Sequence, residues 1–413
     1  MKLLVYSHDA YGLGNICRML AICRHLLDTI PNLSILVLSG SPMLHSFRLP
    51  AGLDYLKLPC LHRDENGDLS AKYLKLDMKQ TVKLRCNLIR VAALNFRPDV
   101  VLVDKKPYGL QDELKKTIET LRTVAPETKW LLLLRDILDA PKQTVAEWHS
   151  LDSYRAIEQF YHQVLVVGTP EVFDTCSEYQ FSPQMRSKSL FCGYIRRQQA
   201  SKHREVLRQE LNLAPGEQCV LVTAGGGEDG YPLIHAYLEG LVMLPADYPL
   251  KSLVVCGPEM STKERATLFQ MAAQHPQVII SEFTDDLMSY IEVANTVVAM
   301  GGYNTFCEIL SAQKPSIIVP RVRPTQEQVI RARKMAELGL LEMIHPDELT
   351  PAVLIDKLLH QLNNPSYYTS NIQKVDLDAL PRIAQSIVMA IPHQPVKGEL
   401  QRFPEHWMKC LSA

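Results

Sequence analysis

The sequence predicts an α/β protein with two doubly wound domains, and three observations support that fold class. The chain has 413 residues, more than one hydrophobic core usually holds. Short, continuous apolar runs alternate with longer amphipathic segments, as in parallel sheets that helices cover on both faces. A polar segment without such a run, residues 196–218, separates two sets of these units.

The predicted elements follow one another along the whole chain. Runs typical of buried strands lie at 2–8, 34–40, 54–59, 99–104, 129–136, 163–168, 189–195, 219–225, 252–257, 277–283, 295–301 and 315–320. Helical periodicity is clearest at 15–30, 109–124, 262–274, 286–294 and 327–337. We therefore expect a first domain over 1–196, a linker over 197–218 and a second domain over 219–379. An apolar helix opens the remaining segment, 380–413, and is expected to pack back on the first domain.

The composition argues against several classes of function. A formal net charge of -1 gives no general attraction to nucleic acid, and the ten cysteines have no metal-binding spacing. No metal site is expected. The first residues lack the apolar core of a signal peptide, and no run approaches the roughly 18 apolar residues of a membrane span. A cytoplasmic protein is predicted. Peripheral membrane contact stays open, although the amphipathic stretch 16–30 is more typical of a helix that faces a core.

The ends of the predicted strands carry the candidate chemistry, because ligands of open α/β sheets bind beyond the carboxyl ends of strands. The first run leads into SHDAYGLGN, in which Gly12 and Gly14 precede a helix while His8 and Asp9 face the same opening. Backbone N–H groups at such a helix start favour an anion. A tight turn without a ligand is the alternative.

A second glycine-rich turn, TAGGGEDG, follows the first run of the second domain. The three consecutive glycines, Gly225, Gly226 and Gly227, are entropically costly to order, which indicates close approach of the backbone to a ligand such as a diphosphate. A plain loop is the alternative here.

Two further strand ends carry acids. In GGYNTFCE, Gly301 and Gly302 precede a helix, and Glu308 has two interpretations. It forms a capping box with Thr305, or it accepts hydrogen bonds from a ribose while the helix start meets phosphate. After the last run, Glu327 and Gln328 begin a helix, where they hold sugar hydroxyls or are simply solvated.

Together these stretches resemble the GT-B glycosyltransferases, in particular the branch of the peptidoglycan N-acetylglucosamine transferase that makes lipid II. The likeness runs from CVLVTAGGG to ELGLLEMI and includes EFTDDLMSYIEVANTVVAMGGYNTFCEILSAQKPSIIVP. Through SHDAYGLGN and FRPDVVLVDKKPYG, the first half is similar to a group of predicted bacterial glycosyltransferases. The resemblance implies two Rossmann-like domains that face each other across a cleft, with the donor nucleotide mainly on the second.

The resemblance also implies roles for single residues. Phe283 lies beside the base, Glu308 binds the ribose, Glu327 and Gln328 read the donor sugar, and Arg196 is near a basic residue at the hinge. The diphosphate is expected among the glycine-rich turns and a helix start, at Gly225, Gly226, Gly227, Gly301, Gly302, Asn304 and Thr305, with Gly12 and Gly14 as further donor-binding glycines.

One departure concerns the catalytic base. Members of this branch carry a histidine where this chain has Asn15, and an amide is not a base at neutral pH. The catalytic candidates are therefore Asp9, then His8, then Asp104 at the end of a strand. Asn15 is left to position the acceptor or a phosphate.

The resemblance implies an inverting, metal-independent glycosyltransferase. It would move a hexose or N-acetylhexosamine from a nucleotide-diphosphate sugar, expected to be UDP-linked, to a hydroxyl of a small-molecule, glycan or lipid acceptor. No cofactor beyond this co-substrate is expected. A nucleotide-sugar 2-epimerase or hydrolase on the same fold, and a non-catalytic nucleotide-sugar-binding subunit, are the alternatives.

Overall fold

The computed structural model describes residues 1–7, 14–63, 69–198, 200–245 and 247–391. Three residues of the expected site, His8, Asp9 and Gly12, lie outside the described residues, so their predicted roles stay predictions.

The described residues form two sheets, a hairpin and the helices that cover them. The strands are β1 (Lys2–Tyr6), β2 (Ser34–Ser39), β3 (Leu53–Lys57), β4 (Leu61–Arg63), β5 (Leu69–Ala71), β6 (Val100–Asp104), β7 (Lys129–Arg135), β8 (Gln163–Val167), β9 (Ser189–Phe191), β10 (Gln218–Thr223), β11 (Leu250–Val255), β12 (Val278–Ser281), β13 (Thr296–Ala299), β14 (Ser316–Ile318) and β15 (Glu342–Met343). The helices are α1 (Gly14–Thr29), α2 (Met78–Phe96), α3 (Lys115–Val124), α4 (Pro141–Ser150), α5 (Ser153–Phe160), α6 (Thr175–Glu178), α7 (Pro183–Ser187), α8 (Arg204–Glu210), α9 (Tyr231–Gly240), α10 (Thr262–Ala272), α11 (Leu287–Val293), α12 (Tyr303–Ser311), α13 (Glu327–Glu337), α14 (Pro351–Asn363), α15 (Pro365–Ile372) and α16 (Ala379–Met389).

Both sheets are parallel and doubly wound. The first has the strand order β3-β2-β1-β6-β7-β8-β9, and the second has the order β12-β11-β10-β13-β14-β15. The chain reverses its direction of winding between β1 and β6 in the first sheet, and between β10 and β13 in the second. Ligand crevices form at such switch points. The predicted α/β class with two doubly wound sheets is confirmed.

The strands coincide with the predicted apolar runs because both faces of each sheet are covered. Every residue of β6 and of β13 is buried, so continuous Val and Leu runs are stable there. The hairpin β4–β5 and the strand β15 have no such signal, because they are two or three residues long and partly exposed. The predicted helix 109–124 starts only at Lys115, since Gln111 and Asp112 have positive φ angles of 50° and 59°.

The last described helix returns to the first sheet. Residues of α16, such as Ile383 and Ile387, share one buried cluster with Ile16 and Met19 of α1. Arg382 Nη1 donates a hydrogen bond of 2.6 Å to the carbonyl oxygen of Cys192, which follows β9. The apolar stripe of α1 is thus used in packing. Among the described residues, none of the helices combines the length and the hydropathy that crossing a membrane requires.

Candidate functional site

The carboxyl ends of the two sheets open on one cleft of about 2500 Å³. It is lined by the first turns of α1 and α12, by the loops after β6, β7, β10 and β14, and by the segment that links the two halves. Both topological switch points therefore face the same space, which is the position expected for a ligand site.

The glycine-rich turn after β10 divides its three glycines between two tasks. Gly225 has a φ of 65°, and a Cβ placed there would meet no atom within 4 Å, so this glycine is open to the cleft. A Cβ on Gly226 would lie 2.8 Å from Oε2 of Glu259. At Gly227 it would lie 2.4 Å from the carbonyl oxygen of Cys256. Gly227 is buried against the neighbouring turn, so its predicted contact with the donor is wrong, and the glycine is needed for packing.

Helix α12 begins in the cleft without a side-chain cap. Its N-cap is Gly302, and no side chain there accepts a hydrogen bond from the first turn. The capping box considered for Thr305 and Glu308 does not form, because the helix starts at Tyr303 and places Glu308 in the second turn. The first backbone N–H groups of a helix have no partner within it. The N-terminus of α12 is therefore a ready anion site that faces open space.

The glycines before α12 also differ in their surroundings. Gly301 has a φ of 80°, and a Cβ on it would lie 2.6 Å from Cγ2 of Ile318. A Cβ on Gly302 would meet nothing within 4 Å. Gly301 thus fixes the turn, whereas Gly302 keeps the helix start open to a ligand. Thr305 lines the same cleft but is only 8% exposed.

A side-chain amide joins the starts of the two helices that face each other. Asn304 Nδ2 of α12 donates a hydrogen bond of 3.0 Å to the carbonyl oxygen of Gly14 at the start of α1. Its Oδ1 is buried without a partner among the described residues. Gly14 and Asn15 line the cleft beside it. The predicted residues Gly14, Asn15, Asn304 and Thr305 are therefore brought together at the base of the cleft.

Glu308 points a half-buried carboxyl group into the cleft and makes no hydrogen bond or ion pair within the described part of the chain. Burial raises the pKa of Glu308 from 4.5 to about 7, although the nearby Arg197 opposes that rise. Arg197 is held in place because its backbone N–H donates a hydrogen bond of 2.9 Å to Oγ of Ser311 on α12. Its Nε atom is buried and has no partner in the described residues.

The basic residue beside this acid is Arg197 and not the predicted Arg196. The side chain of Arg196 is 55% exposed and lies 3.7 Å from Oδ1 of Asp378, an acid just before α16. Arg196 still touches the cleft, but its charge is directed to the surface pair. The sequence offered two adjacent arginines, and only the three-dimensional position of Ser311 and Glu308 separates them.

The predicted base contact of Phe283 and the predicted sugar contact of Gln328 remain available. Phe283 follows β12, lines the cleft and is 58% exposed. Gln328 Oε1 accepts a hydrogen bond of 3.0 Å from the backbone N–H of Arg321. That bond fixes the side chain at the cleft and leaves its NH₂ group to donate to a ligand.

One carboxylate oxygen of Glu327 is bonded within the protein. Its Oε1 accepts hydrogen bonds from Arg135 (2.6 Å) and from Arg331 (3.0 Å), and Arg331 also donates to Oδ1 of Asp136 (3.0 Å). Burial alone would raise the pKa of Glu327, but the two guanidinium groups outweigh burial and hold the pKa below its ordinary value. Glu327 also lines the cleft, so its predicted role in sugar recognition stays a prediction, while Oε1 of the carboxylate belongs to an ion network that joins the two sheets.

Asp104 is not available as a base. It is 1% exposed, and both of its carboxylate oxygens accept hydrogen bonds from Arg18 Nη2, at 2.7 and 2.9 Å. Taking up a proton would break this buried pair and leave a guanidinium uncompensated. The prediction for Asp104 is therefore corrected to a structural role.

Comparison with known proteins agrees with this geometry. Residues 219–387, which carry β10 to α16, match the glycosyltransferase family 28 C-terminal domain. The second half of the chain is thus similar to the C-terminal domain of that family. An uncharacterised glycosyltransferase of Methanopyrus kandleri is 24% identical over 188 residues, which cover 45% of this chain and 50% of the relative.

A second relative has a more specific name. The UDP-N-acetylglucosamine–N-acetylmuramyl-(pentapeptide) pyrophosphoryl-undecaprenol N-acetylglucosamine transferase of Solidesulfovibrio magneticus is 26% identical over 184 residues. The match covers 43% of this chain and 50% of that enzyme, so the chain spans half the length of these relatives.

The likeness to solved structures extends over nearly the whole chain. The crystal structure of Acinetobacter baumannii MurG superimposes with a TM-score of 0.62 and 15% identity, and covers 94% of this chain and 99% of its own. The shared architecture is the GT-B fold, as the sequence predicted.

Besides Arg197, a second cleft residue before β10 is not evident from the sequence. Lys105 directly follows β6, has a φ of 67° and lines the cleft. Burial, followed by repulsion from Arg135, lowers the pKa of Lys105 from 10.5 to about 8. A lysine after a strand is no signal by itself, because surface lysines are common at such positions.

Proposed function

We propose that this protein is an inverting glycosyltransferase that moves a hexose or an N-acetylhexosamine from a uridine-diphosphate sugar to a hydroxyl acceptor without a bound metal. One observation carries the proposal: the uncapped N-terminus of α12 faces the cleft and bears Glu308 one turn later, next to Arg197. Anion site and carboxylate lie on one helix, so a phosphate and the ribose of one nucleotide can both contact it.

The donor is seated along α12 and the neighbouring strand ends in this proposal. The diphosphate lies at the start of the helix between Gly302 and the open Gly225, and the ribose hydroxyls donate to Glu308. Arg197 balances the charge of the phosphates or of that carboxylate, and the base lies against the exposed ring of Phe283. Gln328 donates from its NH₂ group to a hydroxyl of the sugar.

The same arrangement supports the chemistry of transfer. As the bond to the sugar breaks, negative charge grows on the leaving diphosphate, and the fixed N–H dipoles at the start of α12 stabilise it without reorganisation. A hydroxyl that approaches from the side of the first sheet attacks the opposite face of the anomeric carbon, which inverts its configuration. The acceptor is a hydroxyl-bearing small molecule, glycan or lipid, met in the cytoplasm or at the inner face of a membrane.

A thermal-shift panel tests the donor site. UDP, GDP, dTDP and their sugars are titrated into the wild type, Glu308→Ala and the control Glu337→Ala, whose side chain is 56% exposed on α13. We expect UDP compounds to raise the melting temperature of the wild type and the control. In Glu308→Ala the shift is lost while the unliganded melting temperature is kept. No shift of the wild type with any nucleotide would refute the proposal.

Turnover separates transfer from the other reactions that this fold supports. UDP-N-acetylglucosamine is incubated alone and with acceptor mixtures, and the sugar signals are followed by NMR. Transfer, or slow release of the α-linked sugar as its β-anomer into water, is the expected result. Accumulation of a 2-epimer would contradict the proposal, and tight binding without any turnover would indicate a binding subunit.

A further inference from the structure

Resting on the proposed transfer reaction, we propose that Lys105 is its general base and takes the proton from the acceptor hydroxyl. The lysine lies on the cleft wall that the first sheet forms. The acceptor is expected to approach from that wall.

The position of Lys105 in the fold favours a contact with substrate. It is the first residue after β6, which pairs with β1 at the switch point of the first sheet. Its φ of 67° is unusual for a residue with a side chain and costs conformational energy, and such strained positions concentrate at functional sites. The backbone is held there by a hydrogen bond of 2.9 Å from the N–H of Lys105 to the carbonyl oxygen of Leu133.

Among the described residues, five acids near Lys105 or on the adjoining cleft wall are already occupied. Asp104 is bound by Arg18, Glu327 by Arg135 and Arg331, and Asp136 by Arg331 and Tyr194. Glu147 is paired with Lys106, and Asp139 accepts hydrogen bonds from two backbone N–H groups. Each of these carboxylates thus already has a partner within the described residues.

The amine of Lys105, by contrast, has no hydrogen bond or ion pair in the described part of the chain, although it lines the cleft. The charged groups that face it are Arg135 from β7, Glu327 from α13, Lys106 from its own loop and Glu147 from α4. Burial and the two cations favour the neutral amine, and the two acids oppose them less. The pKa of about 8 is consistent with a base that is partly neutral in the cell.

With Lys105 as the base, the transfer step moves one proton, forms one bond and breaks one bond. The neutral Nζ takes the hydroxyl proton as the hydroxyl oxygen forms a bond to the anomeric carbon. The bond from that carbon to the diphosphate oxygen breaks, and its electron pair leaves with the nucleoside diphosphate. The resulting ammonium returns its proton to solvent before the next turnover.

The test compares two nucleophiles with UDP-N-acetylglucosamine as the donor. Water needs a base, whereas azide attacks without one and gives the glycosyl azide. We expect Lys105→Met to lose hydrolysis by roughly 10²-fold to 10⁴-fold and to retain the azide reaction. Lys105→Arg keeps the charge but should not recover hydrolysis. The control Lys116→Met, an exposed position on α3, should hydrolyse like the wild type.

A pH profile adds a readout that a structural role would not move. Because the neutral amine is the active form, wild-type hydrolysis should rise with pH through about 8, and this limb should be absent from Lys105→Met. Recovery by Lys105→Arg, equal loss of both reactions, or unchanged hydrolysis in Lys105→Met would overturn the base. If these occur while UDP still shifts the melting temperature, the inference alone fails. If UDP does not bind the wild type at all, the proposed function fails with it.

Discussion

At the scale of single residues, the site depends on how each charged side chain is compensated. Glu308 is half-buried with Arg197 as its nearest cation, while Glu327 and Asp104 are neutralised by guanidinium groups at hydrogen-bonding distance. Glu308 thus differs in role from Glu327 and Asp104. An uncompensated carboxyl in a cleft is available to a ligand, and a compensated one is part of the framework.

The raised pKa of Glu308 predicts a pH dependence of donor binding. The ionised carboxylate accepts the ribose hydrogen bonds, so the donor binds the deprotonated form and affinity increases as pH rises through about 7. By linkage, binding of UDP-N-acetylglucosamine should be about tenfold weaker at about pH 6 than at about pH 8. Isothermal titration calorimetry measures this. Glu308→Gln, which does not titrate, should bind weakly and equally at both values, and a flat wild-type profile would contradict the role.

Arg197 and Arg196 provide a matched pair for the nucleotide contact. Arg197→Ala should weaken binding of UDP by about 1.5–3 kcal/mol, the usual range for a hydrogen bond to a charged group. Arg196→Ala should change the dissociation constant little, because its side chain faces Asp378 at the surface. Equal effects of the two substitutions, measured by calorimetry at constant salt, would contradict the assignment.

At the scale of elements, α12 is the helix on which the proposed donor site depends most. Its start is placed by the turn of Gly301 and tied to α1 by Asn304, and its second turn carries Glu308. A short uncapped helix has little intrinsic stability, so it depends on the buried side chains of Phe306, Ile309 and Leu310. Because these buried side chains hold α12 in place, its N-terminus can remain uncapped and open to a ligand.

The two glycines before α12 should respond differently to the same substitution. Gly301→Ala places a Cβ 2.6 Å from Ile318 at a φ of 80°, and should lower the free energy of unfolding by about 1–3 kcal/mol. Gly302→Ala has open space and a φ of -62°, so stability should be kept while UDP binds more weakly. Urea unfolding and UDP titration of both variants check this. Normal UDP affinity in Gly302→Ala would move the diphosphate away from this helix.

The predictable part of the molecule is the part that local patterns determine. Apolar runs located β1, β6, β10 and β13, because buried parallel strands require them. The glycines and the acid that follow β13 in the sequence indicated the cleft wall that α12 forms. The partners of Glu327 and Asp104 could not be predicted, because Arg135 and Arg18 are distant in sequence and only the packed sheets bring them together. The preference for Arg197 over Arg196 depends on the same kind of distant contact.

At the scale of the whole molecule, a buried polar network links the two sheets. Arg331 of α13 is fully buried between Asp136 after β7 and Glu327, and Tyr303 donates its hydroxyl hydrogen to the carbonyl oxygen of Val167 over 3.2 Å. The backbone N–H of Gln326 also donates to Asp139. These contacts fix the position of the second sheet relative to the first.

Removing the central cation should therefore destabilise the molecule as a whole. Arg331→Met removes the cation that the buried carboxylates of Asp136 and Glu327 share, and should cost about 3–5 kcal/mol in the free energy of unfolding. Arg333→Met, an exposed position on the same helix, should cost less than about 0.5 kcal/mol. Urea denaturation of both variants distinguishes the network from general effects of the helix. Similar midpoints for the two variants would show that the network adds no stability.

A crystal structure with UDP is the most direct test of whether a uridine nucleotide binds along α12. We expect a phosphate at the N–H groups that follow Gly302, the ribose hydroxyls within hydrogen-bonding distance of Glu308 and the guanidinium of Arg197 beside the nucleotide. UDP bound elsewhere in the cleft, with Glu308 and the start of α12 untouched, would contradict it.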